Sequence, residues 1–249
     1  MSVSLISVNI ERSKHLEKVI PFLENKKPDV VCVQELMEYD VSQIEHALGA
    51  SCLYFPATRH QAEGKSGILG IGIFSRLPVI RHAAHFYAGE PGAIKDFDSS
   101  SHLSKRKTEN HFIALADITA GDSEFRVCTT HFTWTPDGLP DEHQRTDARE
   151  MMRLLETFGE FVLCGDFNAP RGGEIFSLLT SKYRDNIPAK YVTSLDVNLH
   201  RATKEGRRSE IENKMVDGLF TTTAYSAAEV SLEFGISDHA AVVGLISKK

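Results

Sequence analysis

Cysteine is scarce in this chain, with four among 249 residues, and no two of them form a C-x-x-C pair. A zinc clip of the paired-cysteine kind is therefore not expected. Cys32, Cys52, Cys128 and Cys164 are far apart, three of them inside apolar runs, and read as reduced, buried thiols. No apolar stretch approaches the roughly 20 residues that a membrane-spanning helix needs. The chain does not open with a basic segment followed by an apolar run, so the expectation is a cytoplasmic protein. Positive charge is also in short supply. A formal net charge of −6 gives no general support to capture of polyanions by bulk electrostatics. An acidic protein still handles phosphates where a divalent cation carries the local charge. Tryptophan occurs once, at Trp134.

What is present suits a globular protein: 41% hydrophobic and 25% charged residues, enough for a sizeable core without staples. Strand patterns occupy Ser2 to Ile10 and Val30 to Glu35, with an intervening helix carrying Leu16, Val19, Ile20 and Leu23 on one face. Ser13 is its expected N-cap, and Pro21 is expected to kink or restart it. A helix over Tyr39 to Leu48 leads to a strand near Cys52 to Phe55, and Gly67 to Ile80 reads as another strand. Residues 88 to 110, with Gly89, Pro91, Gly92, three serines and Lys105-Arg106-Lys107, read as a long mobile loop. His111 to Ile118 and Glu124 to Thr130 form a hairpin, and Asp141 to Phe158 is the strongest helix. The apolar run Phe161 to Cys164 leads into Gly165-Asp166-Phe167-Asn168, and a short helix follows over Glu174 to Ser181. Residues 184 to 214 are polar and irregular; strands resume at Met215 to Phe220, Glu229 to Phe234 and Ala240 to Ile246. Many strands, few helices and no internal boundary predict one domain over residues 1–249. Its expected form is two sheets packed face to face with helices outside.

Functional side chains collect where these strands end. Asn9, Glu35, His131, Asp166, Asn168 and the Asp238-His239 pair stand at strand termini, and Asp217 lies inside a strand. Singly each has an ordinary explanation, such as a helix cap or a surface histidine. Together, at strand ends that converge on one rim, their carboxylates would repel one another without a cation. Oxygen donors of this kind suit a hard divalent metal, Mg²⁺ above all, with Mn²⁺ as a substitute.

Val8-Asn9, Val33-Gln34-Glu35, Gly72 to Pro78, Thr130-His131-Phe132, Gly165-Asp166-Phe167-Asn168, Val216 to Phe220 and Ser237-Asp238-His239 run the length of the chain. In this order they resemble the endonuclease/exonuclease/phosphatase superfamily, which includes pancreatic deoxyribonuclease, poly(A) deadenylases, inositol-polyphosphate 5-phosphatases and neutral sphingomyelinases. The resemblance implies an α/β (α+β) four-layer sandwich: two mixed, largely antiparallel sheets packed face to face, helices on both outer sides. It implies that Glu35 is the principal metal carboxylate, with Asn9 beside it and Asp238 and Glu11 as further metal-site residues. It implies that Asp166 activates the attacking water and that Asn168 donates to a phosphate oxygen. His239 would stabilise the phosphate and be oriented by Asp217, while His131 would contact the phosphate.

Substrate choice is less constrained. Trp134 either covers the core or offers a stacking surface for a base or lipid headgroup, and is carried as a substrate-binding candidate. No amphipathic membrane segment is apparent, and aromatic and basic residues do not cluster. The expectation is a metal-dependent hydrolase of phosphodiesters, monomeric, with nucleic acid or nucleotide-like substrates ahead of inositol phosphates or sphingomyelin-like ones. A calcineurin-like phosphatase would need Asp-x-His and Gly-Asn-His ligand sets that the chain lacks. A non-catalytic binding relative would be expected to have lost one of these residues, and none is missing.

Overall fold

Apolar residues along the central strands serve two destinations in alternation, which is why those strands read as unbroken hydrophobic runs. In the computed structural model, which describes residues 1–249, Leu5 and Cys32 face a core between two sheets. Their neighbours Ile6 and Val31 face a second core beneath helices. The elements in order are β1 (Ser2–Asn9), α1 (Leu16–Lys26), β2 (Val30–Met37), α2 (Val41–Leu48), β3 (Ser51–Ala62), β4 (Lys65–Ser75) and β5 (Val79–Ala88). Then come α3 (His102–Thr108), β6 (His111–Ala120), β7 (Ser123–His131), α4 (Glu142–Glu156), β8 (Val162–Asp166) and α5 (Glu174–Thr180). The chain closes with β9 (Arg184–Asp185), α6 (Arg201–Lys204), β10 (Asp217–Thr221), β11 (Tyr225–Glu233) and β12 (Ala241–Lys248).

Two six-stranded sheets result, in the orders β11-β12-β1-β2-β4-β3 and β5-β6-β7-β8-β10-β9. Each is mixed, because only β1–β2 and β7–β8 pair in parallel. Three apolar clusters separate four layers: one between the sheets, one under α1 and α2, and one under α4 and α5. The expected sandwich is therefore the observed one.

Several local expectations give way to tertiary contacts. Ser13 does not cap α1; its hydroxyl donates to Asp40 Oδ2 at 2.6 Å, and the helix starts at Leu16 behind His15. Pro21 neither restarts nor ends α1; it lies on the exposed side, where the carbonyl left without a donor is open to solvent. The strand expected from Gly67 to Ile80 is two strands, β4 and β5, broken at Arg76-Leu77-Pro78, and β3 extends to Ala62 to form a hairpin with β4. Residues 88 to 110 are not a simple loop. Ser101 caps α3 by accepting from the Ser104 N–H, and Arg106 forks onto Asp147 of α4 at 2.9 and 2.5 Å. Asp147 is almost fully buried, so the pair ties α3 to the body of the fold.

Candidate active site

The β-ladder itself assembles the centre of the site. Asp166, the last residue of β8, lies opposite His131 of the parallel β7 and opposite Asp217 of the antiparallel β10. The approach of β7 is close enough that a Cβ on Gly165 would meet the Thr130 carbonyl oxygen at 2.1 Å, and the glycine adopts φ +136°. Glycine at 165 is thus a condition for placing Asp166 beside His131.

Asn9 closes the other side. Its Nδ2 donates to Glu35 Oε1 at 3.2 Å and to Asp166 Oδ2 at 3.1 Å, while its Oδ1 accepts from the Glu11 N–H at 3.0 Å. Glu35 does not end its strand, as the sequence suggests, but sits inside β2 where the register with β4 shifts between Val33 and Leu36. That bulge gives Glu35 φ +53° and re-aims its carboxylate to the rim. Glu11, Arg12 and Asn168 also have positive φ, at 45°, 64° and 48°. Such conformations cost non-glycine residues of the order of 1–3 kcal/mol each, and persist where surrounding structure imposes them.

The electrostatics divide into two groups. His239 Nδ1 lies 2.8 Å from Asp217 Oδ2, and its Nε2 is 3.7 Å from Asp166 Oδ2. Burial opposes the charged imidazole, yet the Asp217 and Asp166 carboxylates hold its proton well above the usual histidine range. His131 behaves alike: burial works against protonation, and Asp166 at 3.6 Å, Glu109 at 3.8 Å and Glu35 at 3.9 Å raise its pKa. Burial would push Glu35 up, but His131, Arg12 and the Asn9 amide bring it below its ordinary value. Asp238 is different. Burial pushes its carboxyl up to about 7, against the pull of His239, and Glu11 and Glu35 add to the rise.

Glu11, His15 and Asp238 place one ligand atom each within 4.8 Å of one another, as do Asp166, Asp217 and His239. In the second group His239 is committed to Asp217 and retains its proton, so the group is a hydrogen-bonded acid–base set. The first group, joined to Glu35 by Arg12 at 3.3 Å from Glu11 and 3.7 Å from Glu35, has the donors a divalent cation requires. A cavity of about 360 Å³ lies over both groups and takes Glu11, Glu35, His131, Asp166, Asn168, Asp238 and His239 into its wall. Asn9 and Asp217 stand directly behind it, bonded to the residues that line it. Asn168 is fixed by two donations, from its Nδ2 to the Phe132 carbonyl and from its N–H to Asp166 Oδ1, both at 2.8 Å.

Trp134 also lines the cavity, 44% exposed, with the Lys105 ammonium 4.2 Å above its ring. Glu109, Arg12, His200 and Lys105 line the same space; of these only Lys105 stands out in the sequence, in the basic run Lys105-Arg106-Lys107, which also reads as an ordinary solvated surface. His200 is held neutral: burial, then the charge of His239, lowers its pKa to about 4.

A four-layer sandwich with an acidic, histidine-bearing site on one rim defines a metal-dependent phosphoesterase. The chain belongs to the Endonuclease/Exonuclease/phosphatase family, whose model it matches over residues 6–239. Among solved structures it resembles a family member from Beutenbergia cavernae at 13% identity and TM-score 0.73, over 99% of this chain and 72% of that one. The human Nocturnin catalytic domain with bound sulfate matches at 14% identity and TM-score 0.71, covering 100% and 94%. The mannosyl-6-phosphatase of Bacteroides thetaiotaomicron matches at 12% identity and TM-score 0.66, covering 98% and 99%. No curated protein matches the sequence at a significant level. No helix is long and apolar enough to cross a membrane.

Proposed function

We propose that the protein is a Mg²⁺-dependent phosphodiesterase acting on nucleic acid or nucleotide-like substrates, with attack by a water activated by Asp166. The observation that carries this reading is the convergence on Asp166 Oδ2, where the Asn9 amide, His131 and His239 meet at 3.1, 3.6 and 3.7 Å. Asp166 is thereby fixed with its carboxylate facing two imidazoles whose pKa values the surrounding carboxylates raise. Those imidazoles flank the place where a phosphoryl group is attacked and shield its non-bridging oxygens as charge builds on them. Asp217 hydrogen-bonds His239 Nδ1 at 2.8 Å and orients that ring, whereas Glu109, 3.8 Å from His131 Nδ1, acts on His131 through its charge alone. Asn168 supplies a neutral donor to a phosphate oxygen.

Glu35, Glu11 and Asp238, with Asn9 at their side, are the residues proposed to hold the cation. When bound, a divalent cation supplies Lewis-acid stabilisation of phosphoryl and leaving-group oxygens. The preference for nucleotide-like substrates rests on Trp134 and Lys105. An exposed indole ring suits a base, and Lys105, which has no carboxylate partner, suits a neighbouring phosphate. EDTA is expected to abolish hydrolysis of bis-p-nitrophenyl phosphate, and Mg²⁺ or Mn²⁺ to restore it; full activity of the metal-stripped protein refutes the cation's role. A Mn²⁺-supported screen of DNA, RNA, phosphoinositides and sphingomyelin, with Asp166→Ala as control, decides the substrate. Turnover confined to phosphoinositide or sphingomyelin overturns the nucleotide-like reading.

A further inference from the structure

We infer that the cavity holds a second stacking platform, His60 with Phe97, and that the substrate carries a base on each side of the scissile phosphate. The substrate class is then an internal phosphodiester joining two nucleosides, not a terminal monoester. The inference rests on the nucleotide-like reading above and deepens it.

His60 lies near the end of β3 and Phe97 in the segment before α3, and neither belongs to a motif of the site. Their ring centroids are 4.6 Å apart with the planes inclined by 35°, and both residues line the cavity. Phe97 is the only apolar residue from Lys95 to Ser101, and it is half-buried where Lys95, Asp96 and Asp98 are exposed. It packs into none of the three apolar clusters that separate the layers, so its ring has no part in holding the sheets together. The backbone nevertheless fixes it in place. The Phe97 N–H donates to the Arg59 carbonyl and the Arg59 N–H to the Lys95 carbonyl, both at 2.8 Å. The Thr58 hydroxyl anchors the same segment through the carbonyls of Lys95 and Thr108, at 3.0 and 2.8 Å.

Burial, then the charge of Arg12, lowers the pKa of His60, so its ring is a neutral surface for stacking and not a cation for a phosphate. Arg12 also stands 3.7 Å from Glu35, which puts the platform beside the catalytic centre. Leu69 of β4 adds an aliphatic side chain to the cavity wall. Trp134 follows β7, in the other sheet, with the Lys105 ammonium over its ring. The two platforms thus belong to opposite sheets, and the cavity that joins them contains Glu35, His131 and Asp166. A terminal monoester leaves one platform without a partner, whereas a diester of two nucleosides offers a base to each.

The test compares, in Mn²⁺, hydrolysis of a dinucleoside monophosphate of deoxyadenosine with the two esters in which methyl replaces one or the other nucleoside. Wild-type protein is expected to lose about 5–100-fold in kcat/KM for each replacement, mainly through KM, the usual worth of stacking one base. Phe97→Ala, and Phe97→Leu, which keeps an apolar side chain without a ring, are expected to cost as much on the dinucleoside. That loss should add to the effect of one methyl replacement and not to the effect of the other, with Trp134→Ala giving the reverse pattern. Thermal melting confirms that each variant is folded. A wild type no faster on the dinucleoside than on a methyl ester overturns the second platform and leaves the nucleotide-like reading standing. So does a Phe97→Leu loss that is absent or equal on all three substrates, or one that falls on the same half of the substrate as Trp134→Ala. Wild-type protein inactive on all three overturns the nucleotide-like reading itself.

Discussion

Two groups of acidic residues share the rim, and they treat their charge in opposite ways. Asp166 and Asp217 face His239, with Asp217 paired to it at 2.8 Å, so every member of that group has a partner supplied by the chain. Glu11 and Asp238 crowd a second position, where burial pushes the Asp238 carboxyl up to about 7 and Glu11 and Glu35 push in the same direction. The first arrangement is internally balanced and needs its exact neighbours to orient a base and an acid. In the second, Glu11 is paired with Arg12, Lys14 and His15, while Asp238 accepts only from the Ser237 hydroxyl, so the imbalance that a cation would relieve lies at Asp238. Carboxylates that look equivalent in a motif are thus separated by what surrounds them.

The largest test of this contrast is in the balanced group. Asp166→Ala or His239→Ala is expected to lower kcat by at least about 10²–10⁴-fold, the usual worth of a positioned general acid or base. Circular dichroism and melting should remain those of a folded protein, and near-normal turnover by either variant would remove the proposed roles. Next, Asp217→Asn and Asp238→Asn should differ in sign in EDTA. The first deprives His239 of its ion-pair partner and should lower the melting temperature and, once Mn²⁺ is restored, cut turnover about 10–100-fold. The second relieves carboxylate crowding and should raise the melting temperature of the metal-free protein by about 2–4 °C, roughly 1 kcal/mol, while weakening Mn²⁺ binding. Equal shifts for both would erase the distinction. The smallest effect belongs to the rim: Lys105→Ala should raise KM for an oligonucleotide a few-fold and leave hydrolysis of bis-p-nitrophenyl phosphate unchanged. Single-tryptophan fluorescence reports the same subsite, because Trp134 is the only tryptophan in the chain.

Much of this site was legible from strand ends. The runs before Asn9, His131 and Asp166 are apolar on both faces because each strand lies between two cores, and their polar ends necessarily emerge at the rim. Glu35 was legible as a residue but not as a geometry, since its bulge in β2 arises from pairing with β4. The segment 88–110 was opaque for a related reason. Its glycines, proline and serines suggest a loop, yet Ser101 caps a helix, and a buried Asp147 forty-one residues after Arg106 holds that helix in place. No local pattern announces a partner at that distance.

By itself, then, the order of residues determined the layered sheets, the family and the side chains that gather on the rim, because hydrophobic periodicity and strand termini are local properties. Only the tertiary structure decided which carboxylate faces an imidazolium and which faces other carboxylates. It also decided that Glu109, Lys105 and His15 stand beside the motifs. The physical reason is that burial and Coulomb interactions depend on distances across a few ångströms of space, and those distances are set by register, bulges and packing between segments remote in the chain.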